Sequence, residues 1–189
     1  TVAGLLLKGV EGLARWLHPE YGVLAAGHFI GIAENENYID ALTVNLFNRA
    51  LEQKKLWMER GFNLGVSFNL SPLSLHNPGF TDWISDQVQA YGVPPEQITF
   101  EITENILLGD LAKSIQTLAR LRLRGFNISI DDYGTGFANA EQLSRIPATE
   151  LKLDRSMVEG VLEDERDRAV FRAIMGMAKA LDLGVLVEG

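Results

Sequence analysis

Residues 97–103 read Gln97-Ile98-Thr99-Phe100-Glu101-Ile102-Thr103, and the fold class turns on this stretch. It is β-branched and aromatic, it follows Pro94-Pro95, and it has the length of a short buried strand. A parallel strand covered on both faces is nearly all apolar, so a glutamate near its C-terminal end needs a reason to be there. Just upstream, Asn77-Pro78-Gly79 marks a turn, and Phe80, Trp83, Ile84, Val88 and Tyr91 recur at helical spacing. The unit is a helix followed by a strand.

The same alternation continues in both directions. Downstream come a helix near Leu111 to Arg124, a strand from Phe126 to Asp131, a helix near Phe137 to Arg145, and a strand from Glu150 to Asp154. Val170, Ile174, Met177 and Leu181 then lead to a strand from Gly184 to Glu188. Upstream, Ile39, Leu42, Leu46, Ala50 and Trp57 mark a long helix before a strand from Leu64 to Leu70, and an opening strand is expected around Leu7 to Trp16. Strands alternating with helices imply βαβ units, a parallel sheet and right-handed crossovers. Periodicity alone leaves a doubly wound sheet and a (β/α)₈ barrel both open.

The polar residues favour the barrel. The C-terminal ends of the six expected strands carry Glu11, Asn69, Glu101, Asp131 with Asp132, Lys152 with Asp154, and Glu188. A site fed by many strands is the habit of a TIM barrel, whereas an open sheet gathers its ligand at one switch point. A full barrel takes about 250 residues and eight strands, so 189 residues with six expected strands are expected to hold an incomplete barrel. One domain, residues 1–189, is expected.

Residues two apart on a strand share a face, which groups Glu11 with Arg15, Lys152 with Asp154, and Ser67 with Asn69 and Ser71. Carboxylates joined by an amide are oxygen ligands suited to Mg²⁺ or Mn²⁺, and a shared carboxylate can bridge two ions. Such a set suits hydrolysis of a phosphate ester. Lys152 is no ligand while charged; it can orient the attacking water or neutralise charge developing on the phosphate. A Schiff-base or enolase-like lysine is the competing chemistry, but surrounding carboxylates would raise its pKa and oppose that use.

Composition sets the outer bounds. With 47% hydrophobic and 22% charged residues the chain is globular, and its formal charge of -8 argues against binding a nucleic-acid polymer. The absence of cysteine excludes disulfides, thiolate zinc sites and a cysteine nucleophile. The longest apolar stretch, Val23 to Ala33, contains Gly27, His28 and Gly31 and is far short of the ~20 residues of a spanning helix. Thr1 to Leu7 lacks a basic leader and a cleavage pattern. A cytoplasmic segment without membrane contact is expected, leaving open a membrane anchor elsewhere in a full-length protein. His18, His28 and His76 sit in turn and helix-start sequence and receive no catalytic role.

These same residues carry a resemblance to the EAL domain family of bacterial cyclic-di-GMP phosphodiesterases. Val10-Glu11-Gly12-Leu13-Ala14-Arg15-Trp16 resembles the signature strand, with Gly12 where the family has alanine; Asn69-Leu70-Ser71 and Glu101-Ile102-Thr103-Glu104 are similar to its next two motifs. Asp131-Asp132-Tyr133-Gly134-Thr135-Gly136 resembles its Asp-Asp-Phe-Gly-Thr-Gly loop, and Leu151-Lys152-Leu153-Asp154-Arg155-Ser156 and Glu188-Gly189 resemble the last two motifs, in the family's order.

The resemblance implies a TIM-like barrel of EAL type, here expected to lack the first strand and the last βα unit. It implies hydrolysis of cyclic-di-GMP to the linear dinucleotide pGpG, the alternative being a catalytically inactive receptor or scaffold. Glu11, Asn69, Glu101, Asp131 and Asp132 would ligate two Mg²⁺ or Mn²⁺ ions. Lys152 would stand by the attacking water, Glu188 would serve at the second metal or as general base, and Glu104 would brace the loop after Asp132. Arg15 and Asp154 would contact the substrate. A homodimer and fusion to sensory or cyclase (GGDEF) domains are likewise implied, with cyclic-di-GMP as the small-molecule partner.

Overall fold

In the computed structural model, which describes residues 7–104, 106, 110–134 and 140–187, the chain divides into two units, Thr1–Thr99 and Phe100–Gly189. In the first, strand β1 (Gly9–Gly12) precedes a hairpin of β2 (Arg15–His18) and β3 (Gly22–Ala25), then helices α1 (Ile30–Asn35) and α2 (Ile39–Glu59). Strand β4 (Gly65–Asn69) and helix α3 (Phe80–Tyr91) follow, and β5 (Ile98–Thr103) crosses the division. β1 lies parallel to β4, with Gly9 opposite Gly65 and Glu11 opposite Ser67. The two backbones meet so closely at Gly9 that a Cβ there would stand 2.9 Å from the Gly65 carbonyl oxygen. Only glycine fits that approach.

The opening strand is therefore not one element. β1 ends at Gly12 and β2 begins at Arg15, pairing antiparallel with β3 through Leu17 opposite Val23. The shared face expected for Glu11 and Arg15 does not apply, because parity holds only within one strand. His18 Nδ1 accepts the backbone N–H groups of Glu20 (3.1 Å) and Tyr21 (3.3 Å), fixing the hairpin turn. The turn-capping place expected of His18 is the one it has.

The core of this unit is built from Phe47 and Leu51 of α2, Val66 and Phe68 of β4, and Phe80, Ile84 and Val88 of α3, all buried. The Phe47 ring packs edge-on to Phe68 at 5.1 Å and tilted against Trp83 at 5.7 Å. Lys54 of α2 is buried as well, its ammonium donating to the Leu64 carbonyl, and burial pushes its pKa below the ordinary 10.5.

The second unit holds the remainder of β5, then α4 (Leu111–Leu123), β6 (Asn127–Tyr133), α5 (Ala140–Leu143), β7 (Glu150–Leu153), α6 (Ser156–Glu159), α7 (Glu165–Ala180) and β8 (Gly184–Val187). Its strand order is β5-β6-β7-β8, and β7 is parallel to both of its neighbours. Asp110 caps α4 through the Lys113 N–H (3.3 Å), and Asp164 caps α7 through those of Arg166 (2.6 Å) and Asp167 (3.2 Å). The strands are apolar where the sequence alternation demanded it: Phe100, Ile102, Ile128, Ile130, Leu151 and Leu153 are buried, with Phe126 against Phe100 at 5.5 Å.

Beyond strand ends trimmed by a residue, three elements differ from expectation. β6 runs two residues past Asp131, because Asp132 and Tyr133 remain in the ladder across a register shift. The helix expected near Phe137 to Arg145 is the short α5, with 135–139 outside the described residues. Helix α6 has only four residues, fewer than hydrophobic periodicity can signal. Among the described residues no helix is long and apolar enough to cross a membrane.

Candidate active site

Each unit presents its own group of the expected site residues. In the first, β1 and β4 run side by side and bring Glu11 and Asn69 together: the Asn69 amide donates to Glu11 Oε1 at 2.7 Å. Both are exposed. Arg15 on β2 donates to the Ala14 carbonyl at 2.8 Å, a local contact that leaves most of its guanidinium donors for another partner. Just past β4, the Ser71 hydroxyl donates to Glu34 Oε1 of α1 (2.7 Å) and accepts the Leu73 N–H (3.2 Å). Glu34 gave no sequence signal, since a carboxylate on an amphipathic helix reads as a solvated face.

In the second unit three neighbouring strands converge. Lys152 of β7 places its ammonium 3.0 Å from Glu101 Oε2 of β5 and 3.1 Å from Asp131 Oδ1 of β6. The side chains of Lys152 and Glu101 are 2% and 3% exposed and that of Asp131 is 11% exposed. The ammonium pairs with both carboxylates, which makes their burial tolerable and leaves the group with one net negative charge. Parallel pairing of β6 and β7, with Ile130 opposite Leu151, aligns these strand ends.

Asp132 departs from regular strand geometry. Its φ is +54°, and the β6–β7 register shifts between Ile130 and Tyr133. Strict alternation would send Asp131 and Asp132 to opposite faces; a left-handed residue in a bulge breaks the alternation, and aspartate is among the few residues that accept it. The Asp132 N–H donates to Asp131 Oδ1 at 3.1 Å. Gly134, with φ +102°, completes the turn.

Glu104 directly follows β5 and is buried. Its carboxylate lies close enough to Tyr133 to act on it: burial first, and the Glu104 charge second, push the Tyr133 phenol above its ordinary value of 10.0. The phenol donates to Met177 Sδ at 3.8 Å. A group whose folded pKa is raised stabilises the fold below its unfolded pKa and loses that contribution as pH rises through the folded value. Tyr133→Phe has no such proton to lose. Its urea midpoint is expected to fall less than that of the parent between about pH 9 and about pH 11, with the Lys54 contribution common to both. A stability difference independent of pH would refute the assignment.

Asp154 lies past the end of β7. Its Oδ1 accepts the Ser156 hydroxyl and the Ser156 N–H (2.9 Å), and the hydroxyl bond above all holds its carboxyl below the usual range. It does not share the burial of Lys152, because the strand ends between them. Glu188 lies outside the described residues. Among the described residues no three carboxylate or imidazole groups stand together as a ready metal cage; Glu101 and Asp131 gather instead around an ammonium.

The family follows from comparison with known proteins. The EAL domain model matches residues 3–189, and the chain belongs to the EAL domain family. The "Cyclic di-GMP phosphodiesterase RocR" of Pseudomonas aeruginosa is 34% identical over 183 residues, which cover 97% of this chain and 47% of that protein. The "Bifunctional diguanylate cyclase/cyclic di-GMP phosphodiesterase MucR" of the same organism is 33% identical over 182 residues, 96% of this chain and 27% of that protein. This chain thus spans less than half the length of either. Among solved structures, "PaMucR Phosphodiesterase, c-di-GMP complex" matches with a TM-score of 0.85 at 33% identity, covering 96% of this chain and 74% of that one. The α/β fold is that of the EAL TIM-barrel domains, as the strand-end reading anticipated.

Proposed function

We propose that this domain hydrolyses cyclic-di-GMP to pGpG in bacterial second-messenger signalling, with two Mg²⁺ or Mn²⁺ ions. The observation that carries the reading is the buried Glu101–Lys152–Asp131 triad at three strand ends, in a chain of the EAL family. A donor set of carboxylates and one amide, without thiolates, fits such hard cations, and two carboxylates buried together call for positive charge. Glu11, Asn69, Glu101, Asp131 and Asp132 are the proposed ligands. When bound, the ions supply charge to the phosphoryl oxygens and lower the pKa of the attacking water.

The chain's own residues do the rest. Lys152, whose ammonium lies between two carboxylates, is proposed to hold the water or the developing phosphate charge. Glu188 is proposed to serve at the second metal or as general base, Glu104 to brace the loop after Asp132, and Arg15 to offer a fork suited to a phosphate. The names of relatives that carry a cyclase or the "Oxygen sensor protein DosP" of Escherichia coli support fusion to GGDEF or sensory domains. A homodimer and a cytoplasmic place belong to the same proposal.

A second reading, a receptor that binds without cleaving, has one observation in its favour: Glu101 and Asp131 gather around the Lys152 ammonium, which already supplies them with positive charge. Incubation of the full-length protein with cyclic-di-GMP and Mn²⁺ separates the two. The linear dinucleotide is expected, and its formation should stop in EDTA. Tight binding without turnover in either metal would overturn the hydrolase reading in favour of the receptor.

A further inference from the structure

The substrate contact expected of Asp154 leaves unexplained what its carboxylate does. Oδ1 is engaged by both the hydroxyl and the N–H of Ser156, and the Asp154 carbonyl accepts the Met157 N–H at 3.0 Å. These bonds start α6 immediately after β7. An aspartate bonded to the N–H two residues on is a turn-forming device that stabilises such a start. The first helical turn then fixes where Met157 points.

Met157 points at the turn that ends β6. A Cβ built on Gly134 would fall 2.6 Å from Met157 Sδ and 2.9 Å from its Cγ, so the thioether occupies the space a side chain at 134 would need. Gly134 in turn follows the left-handed Asp132 by two residues. Tyr133, between them, is held from α7 through Met177. Backbone in sparsely populated regions persists only when its surroundings over-determine it, and here those surroundings include one methionine from α6 and one from α7.

We propose that Asp154 is a positioning residue: by fixing the start of α6 it seats Met157 against Gly134, and so holds Asp132 in the left-handed conformation that its proposed ligand role requires. It acts through Met157 and does not touch the substrate. For its ligand role this depends on the phosphodiesterase reading above.

The test uses full-length protein and two readouts, Mn²⁺ affinity by calorimetry and steady-state turnover of cyclic-di-GMP. Asp154→Ala and Met157→Ala should each weaken Mn²⁺ binding by about 10-fold, the scale on which residues behind a metal ligand act. The double variant should be no worse than either single one, because both break the same chain of contacts. Asp154→Asn keeps the accepting oxygen and Met157→Leu keeps the bulk, so both should recover most of the loss. The KM for cyclic-di-GMP should stay within about 3-fold of the parent in every variant that turns over.

Asp154→Asn as damaging as Asp154→Ala, with a raised KM, would overturn the proposal and return Asp154 to the substrate. Additive losses in the double variant would overturn it too. If Asp154→Ala does not fold, Asp154→Asn and the two Met157 variants decide by the same criteria. Failure of turnover in the parent with the Mn²⁺ pattern intact would sink the hydrolase reading alone; an active parent with unchanged Mn²⁺ affinity in all variants would sink this inference alone.

Discussion

Lys152→Met is expected to lower the unfolding free energy by about 3–5 kcal/mol in metal-free buffer, the cost of leaving buried charge uncompensated. Glu101 Oε2 and Asp131 Oδ1 lie 3.0 and 3.1 Å from the same ammonium. Methionine fills nearly the same volume without a charge, so packing is largely conserved and the electrostatic loss is isolated. The two carboxylates would then share a nearly dry site with one neutralising partner removed. Leaving them without their shared cation opens the strand ends to water and costs stability. Urea denaturation with and without Mn²⁺ measures the effect, and Mn²⁺ should restore more stability to the variant than to the parent. An unchanged urea midpoint in EDTA would mean that the triad is not a unit. Turnover should fall with stability, since the same ammonium is proposed to act on the water or phosphate.

Phe126→Ala should cost a similar amount, about 3–5 kcal/mol, for a different reason. Phe126 is fully buried just before β6, with its ring 5.5 Å from that of Phe100 on β5. Removing it opens a cavity between the two strands that carry Asp131 and Glu101, and close-packed interiors relax only partly into such a space. The melting temperature is expected to fall by about 6–20 °C. Phe126→Leu, which refills most of the volume, should recover over half of the loss. A fall of under about 2 °C for the alanine variant would show that the site wall is not held by this pair.

The sequence exposed the parts of this molecule that repeat. Strands at Leu64 to Leu70, Gln97 to Thr103 and Glu150 to Asp154 were legible because buried β-branched runs alternate with helical periodicity, and the structure trims each by one or two residues. The acidic strand ends were legible because ionisable groups stand out in buried strands. What stayed hidden depends on which elements become neighbours. Nothing in the spacing of Lys152 says that its ammonium lies between Glu101 and Asp131, since parity names a face but not the residues across it. The β2–β3 hairpin was hidden because four-residue strands give almost no alternation; of its parts only the turn at His18 was legible. Lys54 was hidden because a lysine in an amphipathic helix reads as solvated, while its stem here lies wholly in the interior. Asp154 looked like a member of the Lys152 face because the end of β7 at Leu153 could not be seen.

The close approach of Gly9 to Gly65 also bears on how the chain finds its fold. That pair begins the β1–β4 ladder, yet the hairpin, α1 and all of α2 lie between its two strands. Closing so long a loop costs entropy before any contact rewards it. The first rung offers no side chains to bury, so backbone bonds such as Gly65 N–H to the Lys8 carbonyl (2.9 Å) must offset that cost until Val10 and Val66 come into register. In the second unit β6 reaches β7 across the much shorter segment that carries α5. Ladders closed by short crossovers form sooner than those closed by long ones. The strand that carries Glu11 is thus tied to the late-closing ladder of its unit, and two of the five proposed ligands, Glu11 and Asn69, wait on the slowest topological step in that part of the chain.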